Sequence, residues 1–576
     1  MTELFVTAEG QLVPAGPATA FWRPQDGGAL HWLDAHDLAA LRCCARIADW
    51  DGLVRQLATA MRWDLASSAG VLQRLRDRGV LVPLRQHVPA PVPMDERVPE
   101  PVIAIRTYRR PEPLRRLLAS ALADEARWGT RRRYLVLDDA DEPAGDPATQ
   151  AIVAEFRRAG LDLGLFDEPL RRELLATPPF RTGGDALQAA LGTALGRVAT
   201  GGRVWNWALL LAAGAAVSFI DDDTAFPVRL PEGADWRWSP MGSHVAEGRF
   251  YDEGLPDLPV MEREPFDYLR DIVGQPTGAL WHRDGMALPE WTGRAMTDLR
   301  LWRPQNRIVA AVAGVYGSHT FNSASHLSLS DRETLADLLR PPFRMTRLDG
   351  ECLWQGVRRP RLSKSAVYTP MLVDARDLLP FASTHDRAED TGFLGMLSAI
   401  EPHAIYANVP LLMGHHQAEQ RGRVAQARKG MLLYPNHMFG YLAQKWASSF
   451  VSTDRATRLH LLARLSADFA RESDAGVAGL IADWRARNAA ALIVGYDDAR
   501  RAAGPGAPHE WLEFLGAAER AAMAEAKDWP SARTIAQFRR TVEQTAELGE
   551  VWPTLWAHLR DGRAAELRAR CGLQAA

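Results

Sequence analysis

At 576 residues the chain is several times the usual single-domain length of roughly 100 to 200, so two to four domains and a sizeable buried core are expected. Lysine and arginine together number 68 against 71 for aspartate and glutamate, a formal charge of -3. That balance leaves no global basic field to draw the chain to nucleic acid or an anionic membrane, and a small partner fits it better.

The cysteines, Cys43, Cys44, Cys352 and Cys571, show no CxxC spacing, so adjacent Cys43 and Cys44 read as packing residues and the setting as reducing and cytoplasmic. The N-terminus carries Glu3 and lacks a cationic stretch followed by an apolar one, so no secretory signal is expected. The most apolar run, Val204 to Ile220, contains Asn206 and Ser218 and leads into three aspartates. It falls short of a membrane span and reads as a helix followed by a buried strand, so no integral membrane segment is expected.

In chain order, Leu38 to Ile47, Leu53 to Met61 and Ser67 to Arg78 have helical spacing, the last stopped by Gly79 before Val80, Leu81 and Val82. Three short helices and a terminal strand suggest a small winged-helix domain over residues 1–90. His87 to Pro101 holds five prolines, which keep the chain semi-extended, so 91–100 reads as a linker that lets the front module move. Beyond it strands alternate with helices over 101–430, the pattern of an α/β domain with a mostly parallel sheet flanked by helices. Val102 to Ile105 is the first strand, followed by the loop Arg106 to Pro111. Leu114, Leu117, Leu118 and Ala121 mark one face of the next helix, and Tyr134 to Leu137 is a second strand. Further helices precede the strand Ala216 to Ile220. Over 431–576, stripes such as Leu462, Leu465, Phe469 and Ile535, Phe538, Val542 predict a separate helical domain. No internal repeat is evident.

Ligands of open α/β sheets sit beyond the carboxyl ends of the strands. Three polar clusters fall there: Thr107, Tyr108, Arg109 and Arg110; Asp138 and Asp139; and Asp221, Asp222 and Asp223. A hard divalent cation is commonly held by one or two carboxylates together with phosphate oxygens, which a short acidic run after a buried strand supplies. The competing reading makes the triplet a solvated turn or a cap, and Asp223 is expected on a solvent-facing loop. Glu389 and Asp390 follow Arg387 and precede Phe393 and Leu394, which open an apolar helix. They either favour its first turn or provide a general base. Pro410 to Met413 reads as a short strand with Gly414, His415 and His416 at its end; adjacent histidines point in different directions, so at most one completes a metal shell.

Val102-Ile-Ala-Ile-Arg-Thr-Tyr-Arg-Arg-Pro111, Tyr134-Leu-Val-Leu-Asp-Asp139, Asn206, Phe219-Ile-Asp-Asp-Asp223 and Arg387-Ala-Glu-Asp390, in that order, resemble the GT-A glycosyltransferases, particularly their inverting group. The resemblance runs over about 100–420 but leaves Ser243 to Pro380 unmatched, and Trp205 replaces the arginine usual beside the asparagine. It implies that Thr107, Tyr108, Arg109, Asp138, Asp139, Asn206 and Asp222 contact a nucleotide-diphosphate sugar, and that Asp221, Asp223 and His415 or His416 hold Mn2+ or Mg2+. It further implies that Glu389 or Asp390 is the base acting on a hydroxyl acceptor. The front unit, through Asp51-Gly-Leu-Val-Arg-Gln-Leu and Leu72-Gln-Arg-Leu-Arg-Asp-Arg-Gly-Val-Leu-Val82, resembles winged-helix domains that bind leader peptides of ribosomally made peptide natural products. The resemblance implies a peptide acceptor, the other reading of this unit being a plain structural appendage. Its eight arginines against six aspartates over 31–85 are too few for a phosphate-binding face, so no nucleic-acid partner is expected. Nucleotidyl transfer is the alternative chemistry, but Arg106 to Pro111 lacks the glycines of a phosphate loop. A binding protein of the same fold without turnover stays open.

Overall fold

Runs of aliphatic residues build one mixed sheet through the middle of the chain. The computed structural model describes residues 3–24, 28–192, 201–240, 247–286, 296–318, 331–348, 353–364, 370–385, 387–417 and 434–574. Strand β1, Val102–Thr107, is buried at every position but Arg106, as a strand covered on both faces must be. Helix α1, Pro111–Trp128, starts with proline in its first turn and ends on Gly129 in the left-handed conformation (φ 62°). Its Leu114, Leu117, Leu118 and Ala121 are all fully buried.

The chain continues through β2 (Arg133–Asp138), α2 (Pro147–Arg158), β3 (Asp162–Phe166), α3 (Glu168–Leu175), α4 (Gly201–Leu211), β4 (Ala216–Asp221) and β5 (Thr224–Arg229). It then forms β6 (Arg307–Gly317), β7 (Met371–Asp374), α5 (Glu389–Ile400) and β8 (Ala404–His415). Across the sheet the order is β5-β8-β6-β7-β4-β1-β2-β3. β4, β1, β2 and β3 pair in parallel, as do β6 and β8, whereas β7 runs antiparallel to both its neighbours and β5 antiparallel to β8. The chain steps from β1 outward to β2 and β3, then returns to place β4 on the other side of β1. That reversal leaves a crevice between the carboxyl ends of β1 and β4, where ligands of open α/β sheets bind.

Residues 31–85 form the three expected helices, Ala35–Cys43, Trp50–Met61 and Leu65–Asp77, followed by the strand Leu81–Pro83. Ahead of them lie strands not anticipated from the sequence, Leu4–Thr7, Gly10–Gly16, Thr19–Pro24 and His31–Leu33. This unit is docked rather than free. Val6, Ile47 and Leu84 share one apolar cluster with Ile103 of β1 and Ile308 of β6, and Glu9 forms an ion pair with Arg303. The proline-rich stretch is extended, as its prolines require, but it is a strap and not a mobile linker. Val98 is fully buried, Asp95 exchanges main-chain hydrogen bonds with the Gln275 carboxamide at 2.8 and 3.1 Å, and Arg97 pairs with Asp267 and Asp271. Proline forbids helix without forbidding burial, which is why composition alone misreads this segment.

The tail also differs from the expectation of a separate domain. It consists of α6 (Pro435–Ala447), α7 (Arg455–Ala470), α8 (Asp474–Ala503), α9 (His509–Lys527) and α10 (Ala532–His558), followed by a final helix, Ala564–Arg570. Phe439, Leu459, Leu462, Phe538, Val542 and Trp552 belong to the same apolar cluster as α4, α5 and one face of the sheet. The chain end returns to the sheet edge, where Leu165 of β3 donates its amide to the Cys571 carbonyl at 2.9 Å. Burial pushes the Cys44 and Cys571 thiols up to about 12, consistent with packing residues; Cys352 lies outside the described residues. Among those residues no helix is long and apolar enough to cross a membrane.

Candidate functional site

The carboxyl end of β4 lies in register with that of β1, Asp221 opposite Arg106, and Thr107 in turn lies opposite Asp138 of β2. The three polar clusters therefore meet in the crevice at the strand-order reversal. Asp222 and Asp223 form the turn into β5, closed by the Thr224 hydroxyl donating to the Asp221 carbonyl at 2.7 Å. This is neither a solvated turn nor a solvent-facing loop: Asp222 is 2% exposed and Asp223 6%.

Buried carboxylates need partners, and two arginines of the β1 end provide them. Arg110 pairs with Asp222 and, at 3.2 Å, with Asp223, while Thr107 donates its hydroxyl to Asp222 at 2.9 Å. Even so, burial holds the Asp222 carboxyl up at about 7, with the neighbouring Asp223 charge adding to the rise against Arg110. Arg106 spans the crevice. It donates to Asp221 at 2.8 Å through Nε and to Glu389 at 2.9 Å through Nη1. Sequence reasoning missed Arg106, though its signal was present as the lone charge inside an apolar strand.

Glu389 and Asp390 occupy the first turn of α5, whose N-cap, Ala388, is in the left-handed conformation (φ 62°) and makes no side-chain capping bond. Glu389 sits against the start of α4, where a Cβ on Gly201 would meet its carboxylate. Asp390 accepts the Thr391 amide at 2.7 Å. Burial first, then the Glu389 charge, hold its carboxyl well above the usual carboxylate range.

Of the two histidines, His415 faces the acidic turn. Its Nε2 lies 3.7 Å from Asp223 Oδ1, and its Nδ1 is 2.8 Å from the Ser318 carbonyl. A carbonyl only accepts, so Nδ1 carries the proton and, in the neutral ring, Nε2 presents a lone pair toward Asp223. Asp223 Oδ1 is itself buried without a hydrogen-bond partner. Two facing electron-pair donors, one oriented through its second nitrogen by a backbone carbonyl, fit the ligand arrangement of a cation. Among the described residues no group of three or more histidine, cysteine, aspartate or glutamate side chains is arranged to hold a metal. Asp223 and His415 therefore offer a cation two ligands, and the rest of a coordination shell would have to come from beyond these residues. His416 engages the turn through its backbone instead, donating its amide to the Asp223 carbonyl at 2.8 Å.

The other expected contacts divide into rim and foundation. Tyr108 is half exposed, and Arg109 points outward to Asp141 and Glu142. Asp138 is buried and holds the Ala140 amide at 3.0 Å, and burial lifts its carboxyl to about 6. Fully buried Arg171 of α3 donates to the Asp138 carbonyl at 2.6 Å, and Arg203 of α4 donates to the Asp139 carboxylate at 2.7 Å. Asn206 does not reach the crevice: it is fully buried, with both ends of its carboxamide on the backbone of Ala382. Trp205 beside it stacks on Phe219 of β4 with ring centroids 3.9 Å apart and lies under the Arg106 guanidinium at 5.6 Å. No family model matches the chain, and a search of curated proteins finds no match.

Proposed function

We propose that this chain is a metal-dependent glycosyltransferase of the GT-A type, transferring a sugar from a nucleotide-diphosphate sugar to a hydroxyl acceptor with inversion. The observation that carries the reading is Arg106, which joins Asp221 to Glu389 across 168 residues of sequence and so gathers the donor-side and acceptor-side acidic motifs into one crevice. Their meeting at the reversal of strand order supports a nucleotide ligand.

Asp223 and His415 are the residues that would hold Mn2+ or Mg2+, which when bound supplies positive charge to the diphosphate. Thr107, Tyr108, Asp138 and Asp139 line the nucleotide side. Asp390 is the base: its raised proton affinity suits removal of a hydroxyl proton near neutral pH. As the acceptor oxygen bonds to the anomeric carbon, the proton passes to the Asp390 carboxylate and the bond to the diphosphate oxygen breaks. The nucleoside diphosphate leaves with that electron pair. Glu389 keeps Arg106 across the crevice.

The acceptor class is a peptide. Its support is the resemblance of residues 1–90 to leader-peptide domains, together with the strand Gly10–Gly16, which lies at a sheet edge with Leu12 and Val13 exposed. An extended peptide can add there through main-chain hydrogen bonds. The test is incubation with a panel of nucleotide sugars, manganese and hydroxyl acceptors, measuring released nucleoside diphosphate. Release that needs manganese is the expected result, and no release from any donor with any acceptor would sink the assignment.

A further inference from the structure

The described residues of segment 379–388, immediately before the acidic pair, belong to no helix or strand, so their buried peptide groups must find partners elsewhere. Three buried carboxamides from three different helices provide them. Asn206 of α4 donates to the Ala382 carbonyl at 3.0 Å and accepts the Ala382 amide at 2.7 Å. Gln544 of α10 accepts the Thr384 amide at 2.9 Å and donates to the Thr384 hydroxyl at 2.6 Å. Asn436 of α6 donates to the Arg387 carbonyl at 2.9 Å. All three are 5% exposed or less. α10 adds Trp552, whose ring nitrogen donates to the Leu379 carbonyl at 2.8 Å.

The choice of residue type has a physical reason. A primary carboxamide is a donor and an acceptor at once and carries no charge, so one side chain can satisfy both halves of a buried residue's main chain, as Asn206 does for Ala382, without the desolvation penalty of a carboxylate or guanidinium. The supports are spread along the segment, at 382, 384 and 387, and the last lies two residues before Glu389. α6 also approaches α5 at backbone distance, since a Cβ on Gly395 would collide with Gly440. The helices of the tail thus brace both the approach to the acidic pair and the helix that carries it.

We propose that Asn206, Asn436 and Gln544 are positioning residues that hold segment 379–388 so that Glu389 meets Arg106 and Asp390 faces the crevice, which makes the C-terminal helices part of the machinery of the site. This rests on the reading of the acidic pair as the acceptor-side base. The test compares Gln544→Met, which keeps the length of the side chain but neither bond, with Thr384→Val, which weakens the same contact from the loop side and leaves α10 intact. Thr541→Val is the control: Thr541 is fully buried on the same helix, and its hydroxyl has no hydrogen-bond partner.

Two measurements are made on the full chain, amide hydrogen exchange over 379–390 and steady-state transfer with manganese. Gln544→Met should speed exchange in this segment by at least about tenfold, with Thr384→Val in the same direction. It should lower kcat by about tenfold while donor KM stays within about twofold, because the donor side is untouched. Thr541→Val should change neither. Unchanged exchange in both Gln544→Met and Thr384→Val overturns the proposal, as does faster exchange with unchanged kcat. Absence of turnover in the unmodified protein would instead overturn the base reading, and the exchange comparison would still decide whether the carboxamides hold the segment.

Discussion

Replacing Asp222 by asparagine should stabilise the protein at alkaline pH and give progressively less stabilisation as the pH falls. Its carboxyl is 3% exposed and, chiefly through burial, titrates at about 7 instead of the ordinary 3.8. The folded state therefore binds a proton between those values that the unfolded state does not. Stability linked to that proton is fully present below about pH 4 and is lost as the pH rises through about 7. A rise of this size corresponds to on the order of 4 kcal/mol. Asparagine still accepts from Thr107 and carries no charge, so the stability difference between the variant and the unmodified chain should grow by about that amount from pH 4 to pH 8.5, most steeply between about pH 5 and 7. Urea denaturation followed by tryptophan fluorescence at a series of pH values measures it. A difference that stays constant across the series would refute the argument, because the carboxylate would then have to be comfortably solvated or fully compensated by Arg110.

Asp223→Ala should abolish manganese-dependent donor binding in calorimetric titration while the chain stays folded; wild-type affinity at the same manganese concentration would dismiss the cation assignment. Asp390→Asn should lose turnover and keep donor affinity. Glu389→Gln should retain more activity than Asp390→Asn, because its neutral amide can still accept from Arg106, and equal wild-type rates in both variants would move the base elsewhere. For the proposed transfer by the unmodified protein, kcat/KM should fall as the pH drops and the raised Asp390 carboxyl takes up its proton; a flat profile down to pH 5 would contradict the assignment. Limited trypsin digestion should not cut first after Arg97, since that side chain is paired with Asp267 and Asp271 and Val98 is buried. Early cleavage there would restore the mobile linker.

Local features of the chain made much of this protein legible before any fold was known. The helix with Leu114, Leu117, Leu118 and Ala121 on one face, the apolar strands ending in Asp138 and Asp221, and the three helices ahead of Val80 all follow from periodicity and stop signals between near neighbours. The acidic candidates were visible for the same reason, as charges placed directly after buried strands. Tertiary structure decided what those charges experience. Asp222 and Asp223 are buried only because β5 folds back beside β8 and brings His415 to the turn, and Arg106 becomes a bridge only because α5 delivers Glu389 from 283 residues away. The docking of the strap at 91–100 and of the tail was not legible for one cause: composition and periodicity report what a segment can form, whereas its burial depends on surfaces supplied by distant residues such as Gln275 and Leu379. Asn206, Asn436 and Gln544 illustrate the limit most clearly, since an asparagine or glutamine on a helix looks alike in sequence whether it faces water or the unmet peptide groups of a segment 49 to 176 residues away.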